Sequence, residues 1–215
     1  MQNEYLANRY IKSKVYAPDE ILYPKVEGAD DLFLLKTGLA VLEINNNDVW
    51  VATMIIGANE IIGPSLIYDK DFEFEYRIQA LEQCEFLLVD REYLIDHMYV
   101  NPKVFITLLE QSVQQEYLFI SLYNKKNQSL ANRLIDLVVR WEEKFDLSRN
   151  GREIELPLTV NQKVLAQFLR ASHSRLNELL RGWEREGILI QRNAKGLVFD
   201  KEKLYSMQAQ GLSIV

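Results

Sequence analysis

His173, Ser174, Arg175, Asn177, Glu178 and Arg181 fall on one side of a segment whose other side is Leu176, Leu179, Leu180 and Trp183. Arg192 and Lys195 follow in the short basic stretch Gln191–Gly196. Guanidinium, amide and hydroxyl groups on one helical face can hydrogen-bond base edges in a major groove, and arginine or lysine can meet phosphates. Arg175 has the donor fork for a bidentate pair with guanine, or for a phosphate. Glu178 can accept from cytosine N4, orient Arg175, or stand as a solvent-side charge three residues from it.

The neighbouring sequence supplies elements that would position these groups. Asn161 precedes a helix expected over Gln162–Arg170, with Val164, Leu165, Phe168 and Leu169 facing inward. Ala171-Ser172 breaks it, and Ser172 is a good N-cap for a second helix over His173–Glu186. Gly187 permits that helix to end. Ile188–Ile190 and Leu197–Phe199 then flank the basic stretch as a hairpin. Two short helices, a tight turn and a β-hairpin make a winged helix-turn-helix, expected here for double-stranded DNA. The other open reading is a unit that packs against protein.

Charge is distributed accordingly. The chain has 215 residues and a formal charge of −6. Residues 1–128 hold 11 Lys/Arg against 20 Asp/Glu, whereas 129–215 hold 14 against 11. From Thr159 to Gly196 the count is 7 against 3, net +4. An acidic body with a basic module suits selective binding to nucleic acid better than indiscriminate binding.

Upstream, residues 1–100 read as β-rich. Asp31–Lys36 and Gly38–Ile44 are expected to meet across a tight Thr37-Gly38 turn, and Asn45–Asp48 turns the chain into Val49–Ile56. Arg77–Leu81 and Cys84–Val89 continue the pattern, which suggests a sandwich, roll or barrel. Asp90 can cap a short helix through His97. Asn101-Pro102 opens a long one, with Pro at a favoured first position. Along it Ile106, Leu109, Val113, Glu116, Ile120, Tyr123 and Asn127 recur in steps of three and four. Such a stripe serves either a partner helix or packing on its own domain. Ser129 can cap a further helix from Leu130 to about Lys144, and Asn150-Gly151 marks a turn before Ile154–Leu156.

Other chemistries are poorly supplied. A single cysteine, Cys84, excludes a disulfide framework, a zinc cluster and a cysteine-held iron–sulfur cluster. His97 and His173 are the only histidines, so no multi-histidine metal site can be built. There is no phosphate-cradling or dinucleotide-binding glycine motif. Cys84 reads as a packed thiol and Ser172 as a cap, so no enzyme, metal or cofactor is expected. No apolar run approaches membrane-spanning length, and the first residues lack a signal peptide's apolar core, so a cytoplasmic protein with no membrane partner is expected.

Leu32–Lys36, Thr37-Gly38-Leu-Ala-Val41, Gly57, Ile62-Gly63, Asn101-Pro102, Asn132-Arg133-Leu134, and Leu165–Leu169 followed by Ala171-Ser172 and Leu176 stand in a specific order. Over about residues 15–205 the chain resembles the cyclic-AMP receptor/fumarate–nitrate regulator (CRP/FNR) family of bacterial transcription factors. That resemblance implies an α+β protein in three parts. An antiparallel β-roll, a jelly roll like those that bind cyclic nucleotides, occupies 1–100. A central dimerisation helix occupies 101–128, and a winged helix-turn-helix occupies 129–215. It also implies a homodimer on a near-palindromic site, joined through Ile106, Leu109, Val113, Ile120 and Tyr123. RNA polymerase would be recruited or blocked, and family habit favours activation.

Two departures from the family pattern matter. Where cyclic-nucleotide binders carry Gly-Glu-Leu and then Arg-Ser, this chain has Gly63-Pro64-Ser65 and then Phe74-Glu75 in the best register. Phe74 supplies no donor and Glu75 would repel a phosphate, with Asp69, Asp71 and Glu73 adding to the charge. Control by cyclic AMP or cyclic GMP is therefore not expected, unless a slipped register brings Arg77 to the phosphate. Tyr68, Phe72, Phe74 and Tyr76 either line an apolar pocket or are ordinary core and loop residues, which leaves the effector open. In the second departure, the usual recognition-helix pattern is replaced by Ser172-His173-Ser174-Arg175-Leu176-Asn177-Glu178, so the operator should differ from common family sites.

Overall fold

The structure is a computed structural model that describes residues 9–23, 31–62, 75–124, 128–193 and 196–212. The chain divides into two compact units, Met1–Tyr123 and Asn124–Val215.

The first unit contains β1 (Ile11–Tyr16), β2 (Ile21–Leu22), β3 (Asp31–Thr37), β4 (Ala40–Asn46), β5 (Val49–Ile56), β6 (Ile61–Ile62), β7 (Tyr76–Ala80) and β8 (Cys84–Asp90). They form two antiparallel sheets, ordered β1-β8-β3-β6 and β2-β7-β4-β5. Phe33, Leu35, Phe86 and Leu88 from the first sheet and Ala40, Ile56, Ile78 and Ala80 from the second share one buried core. β4 and β5 are joined by Asn47 and Asp48, both at positive φ. That conformation matches the twist of paired strands, and Asn and Asp tolerate it.

One expectation needs correction. β3 and β4 do not meet across Thr37-Gly38: β3 pairs with β6 and β8, and β4 pairs with β5 and β7. The turn instead carries the chain from one sheet to the other, so both strands drive side chains into the same core from opposite sides. Gly38 has φ +96°, and a Cβ there would lie 2.5 Å from the Gln83 carbonyl oxygen and 2.9 Å from Cys84 Sγ. Only glycine permits so close a crossing. Cys84 itself is fully buried, its Sγ donating to the Leu39 carbonyl at 3.1 Å. Burial pushes the thiol up to about 11.

Two helices cover the outer face of the first sheet. α1 (Arg91–Val100) is capped by Asp90, whose side chain accepts from the Tyr93 amide, and α2 spans Pro102–Asn124. Leu94 and Leu108 bury against Leu32 and Val89, with Val104 and Met98 packed beside them. On the second sheet, Arg77 Nε donates to Glu43 at 2.6 Å, and its guanidinium sits 4.4 Å from the Trp50 ring centre.

The second unit contains α3 (Leu130–Phe145), β9 (Ser148–Arg149), β10 (Glu153–Glu155), α4 (Gln162–Phe168), α5 (His173–Arg185), β11 (Leu189–Asn193), β12 (Gly196–Asp200) and α6 (Lys201–Leu212). Ser129 caps α3 by accepting from the Asn132 amide. Leu134, Leu137, Val138 and Trp141 are buried on its inner face, and Trp141 meets Phe168 edge-on at 5.0 Å. Asn150 and Gly151, both at positive φ, turn β9 into β10. The sheet order is β11-β12-β10-β9. α6 is tied back to α3 through Glu142, which accepts from Lys201 Nζ and from the Tyr205 hydroxyl, both at 2.6 Å. Among the described residues no helix is long and apolar enough to cross a membrane.

Candidate nucleic-acid interface

α4 and α5 are specified locally. Asn161 Oδ1 accepts from the amides of Lys163 and Val164, satisfying two of the donors a helix start leaves open. Leu165, Ala166 and Leu169 bury its inner side, while Val164 and Phe168 are half-buried. At its end the Ala171 amide bonds the Ala166 carbonyl and the Arg170 amide bonds the Gln167 carbonyl. These are the two bonds of a Schellman stop, and its left-handed position is held by Arg170 at φ +47°. α5 ends the same way, with Ile188 to Trp183, Gly187 to Glu184, and glycine at φ +65°.

Ser172 Oγ accepts from the Arg175 amide and starts α5. Leu176, Leu180 and Trp183 anchor the helix on the unit's core, with Leu179 half-buried. Opposite them His173, Ser174, Arg175, Glu178 and Arg181 are exposed, and Asn177 is half-buried. Ser174, Glu178, Arg181 and Arg185 follow steps of four, three and four, so they form the ridge furthest from the anchor. Arg185 extends the polar face beyond the residues read from the sequence, and its four-residue spacing from Arg181 signals it. Exposed Lys163 and Arg170 add two cations on the preceding helix and its turn.

The hairpin β11–β12 lies beside α5, paired as Gln191 with Val198, Arg192 with Leu197 and Asn193 with Gly196. Arg192 does not extend into solvent, its side chain being only 14% exposed. Nη1 donates to Glu184 Oε2 at 3.3 Å, and Nη2 donates to Gln162 Oε1 at 3.0 Å and to Asn177 Oδ1. One guanidinium thus joins the hairpin to α4 and α5. Glu184 and Gln162 lie 8 and 30 residues away in sequence, and local spacing does not signal them. Lys195 lies outside the described residues. Gly196 has φ +113°, and a Cβ there would stand 3.2 Å from Leu158.

The remaining candidate residues, Asn127 apart, belong to the first unit. On α2, Ile106, Leu109 and Val113 are each more than half exposed, as are Phe105 and Tyr117. The side chains of Ile120 and Tyr123 lie outside the described residues, as does Asn127. The same holds for Gly63, Pro64, Ser65, Tyr68, Asp69, Asp71, Phe72, Glu73 and Phe74. Glu75 is exposed and accepts from Asn45 Nδ2 at 2.9 Å. Tyr76 packs against the roll core, and burial raises its phenol. Arg77 is held by Glu43 under Trp50. Among the described residues no group of three or more His, Cys, Asp or Glu side chains could hold a metal ion.

No family model matches the sequence, and no curated relative does. Solved structures do resemble it. The FixK2 protein of Bradyrhizobium japonicum superposes with a TM-score of 0.71 at 15% identity, over 91% of this chain and 96% of that one. A cyclic nucleotide-binding domain containing protein from Listeria monocytogenes gives 0.69 at 20% identity, over 94% of each chain. A protein from Eubacterium rectale, described as a transcriptional regulator of the CRP/FNR family, gives 0.69 at 15% identity over 97% and 94%. The likeness is one of fold: over most of its length the chain has the α+β, CRP/FNR-like fold of these structures.

Proposed function

We propose that the chain is a sequence-specific DNA-binding transcription regulator, working as a homodimer on a near-palindromic promoter site, as an activator, without cyclic AMP and without catalysis of its own. The observation that carries this reading is α5. Its leucine and tryptophan side is sealed into the unit, while its opposite side exposes donors, acceptors and cations at the start of the helix. A helix of that width fits the major groove, where its first turns meet base edges. Arg175 and Arg181 serve as base or phosphate contacts, with His173, Ser174 and Glu178 beside them, and Lys195 joins them from the basic stretch read in the sequence. Arg185, Arg170 and Lys163 extend the cationic surface.

Self-association is supported by the apolar side of α2. Phe105, Ile106, Leu109, Val113 and Tyr117 together expose more apolar side chain than a lone soluble helix ordinarily leaves in water. Ile120 and Tyr123 continue that seam in sequence. Independence from cyclic AMP is supported by Arg77, the cation available to a slipped register. Its charge is already spent on Glu43.

The test is binding of the full chain to duplexes recovered by genome-wide footprinting, followed by anisotropy at several salt concentrations. Arg175→Ala and Arg181→Ala should each weaken binding about 5- to 150-fold, the range of a lost base contact of about 1–3 kcal/mol, with sedimentation unchanged. Val113→Glu should split the dimer, since it would bury an unpaired charge. Absence of binding to every duplex at low salt would sink the reading in favour of a protein-interaction role for the second unit.

A further inference from the structure

The Arg192 cluster specifies more than hairpin placement. Arginine carries five N–H donors and no acceptor. An asparagine in contact with it must therefore offer its oxygen, whichever way the amide was first drawn. Asn177 Oδ1 accepts from Arg192 Nη2, and the same nitrogen is held by Gln162 while Glu184 holds Nη1. Asn177 sits in the second turn of α5, between the exposed His173 and Arg181. Its oxygen keeps one lone pair, but the Nδ2 amino group is the part of the side chain with no partner among the described residues.

We propose that Arg192 is a positioning residue that fixes the orientation of Asn177, and that Asn177 thereby reads acceptor edges in the major groove, guanine O6/N7 or thymine O4. An unconstrained asparagine pairs with adenine by giving N–H to N7 and taking N–H from N6, which needs both ends of the amide. Here the oxygen already accepts from a guanidinium, which leaves it a weaker acceptor for a second donor such as adenine N6. This assignment rests on the DNA-binding reading and names the base class that one position of it selects. It also removes Arg192 from the set of phosphate anchors, since Glu184 already balances its charge inside the unit.

The experiment is a base-substitution scan of the footprinted duplex with the full-length protein, repeated over a salt series. Wild-type protein should prefer guanine or thymine at one position per half-site, and Asn177→Ala should flatten that preference alone, by about 5-fold or more. Arg192→Ala should release the amide and move the preference toward adenine, leaving the salt slope unchanged. Asn177→Asp keeps a partner for Arg192 but turns an acceptor outward, so its preference should move to cytosine. It carries the test should Arg192→Ala fail to fold. The proposal is overturned if Arg192→Ala weakens all sequences alike and lowers the salt slope by about one, the signature of a lost phosphate contact. It is equally overturned if Asn177→Asp leaves every base preference where it was. Wild-type protein that binds no duplex specifically would remove the DNA reading itself, a distinct result from either.

Discussion

Arg170→Gly should stabilise the second unit while weakening its hold on DNA. α4 and α5 end in the same two-bond stop, yet the left-handed position is Arg170 in one and Gly187 in the other. A side chain at φ +47° costs about 1–2 kcal/mol against glycine. Glycine returns about 0.5–1 kcal/mol through the greater freedom of the unfolded chain. Midway through both ranges the net gain is about 0.5–1 kcal/mol. For a unit of this size, each kcal/mol moves Tm by about 4–8 °C, so the shift is about 2–8 °C. Gly187→Ala is the mirror control. It should destabilise by at least a similar amount, since its Cβ would come 3.0 Å from Lys203 Nζ. That amine donates to the carbonyls of Glu186 and Gly187. Thermal and urea unfolding, followed by Trp141 and Trp183 fluorescence in a Trp50→Phe background, reads both. The strained residue is a cation at the turn between the two helices, so the glycine variant should also lose about one unit of salt slope on DNA. A neutral or destabilising Arg170→Gly, with Gly187→Ala behaving as expected, would refute the strain argument.

The second unit should lose stability at both ends of the pH range. Burial pushes the Glu142 carboxyl up, but the bonds from Lys201 and Tyr205 outweigh it and leave it below the usual range. Its stabilisation is therefore present above the unfolded carboxylate value near 4.3 and is lost as acid protonates the folded group. The Tyr205 phenol is raised, first by burial and then by Glu142, so its contribution holds below about pH 10 and fades above it. Tyr205→Phe should abolish the alkaline loss and keep the acid one, a difference urea midpoints across pH will show. Cys84 should resist alkylation in the folded protein at pH 8 and react at once in denaturant, because both burial and a thiol near 11 suppress the thiolate. Fast native labelling would show that the Gly38 crossing opens.

What the sequence disclosed was what neighbours in the chain decide. Ser129, Asn161 and Ser172 cap the helices they precede, and Asn101-Pro102 opens α2. Asn47-Asp48 and Asn150-Gly151 take the backbone those residues favour. The exposed and buried sides of α5 follow from its period. What escaped was decided across distance. A Thr-Gly step reads as a hairpin turn, and only the shared core shows that β3 and β4 serve different sheets. β1, whose middle residues Lys12, Ser13 and Lys14 are exposed, lacks a strand's usual apolar alternation and is fixed by β8. α6 depends on Glu142, 59 residues before Lys201. Arg192 has the composition of a solvent-facing wing cation, and partners on two helices turn it inward.

The crossing at Gly38 governs how the roll is made on the ribosome. β1 waits for β8, and β2 waits for β7. Of the roll's paired strands among the described residues, only β4 and β5 are joined by a two-residue turn; the β2-β7-β4-β5 sheet is not complete before Ala80, nor the β1-β8-β3-β6 sheet before Asp90, leaves the exit tunnel. At about 5–20 residues per second, the nascent N-terminal strand spends several seconds without its partner. Pairings this distant close slowly even when the whole chain is present. The charged residues of β1 then keep an unpartnered strand soluble during synthesis, before they face water in the finished protein.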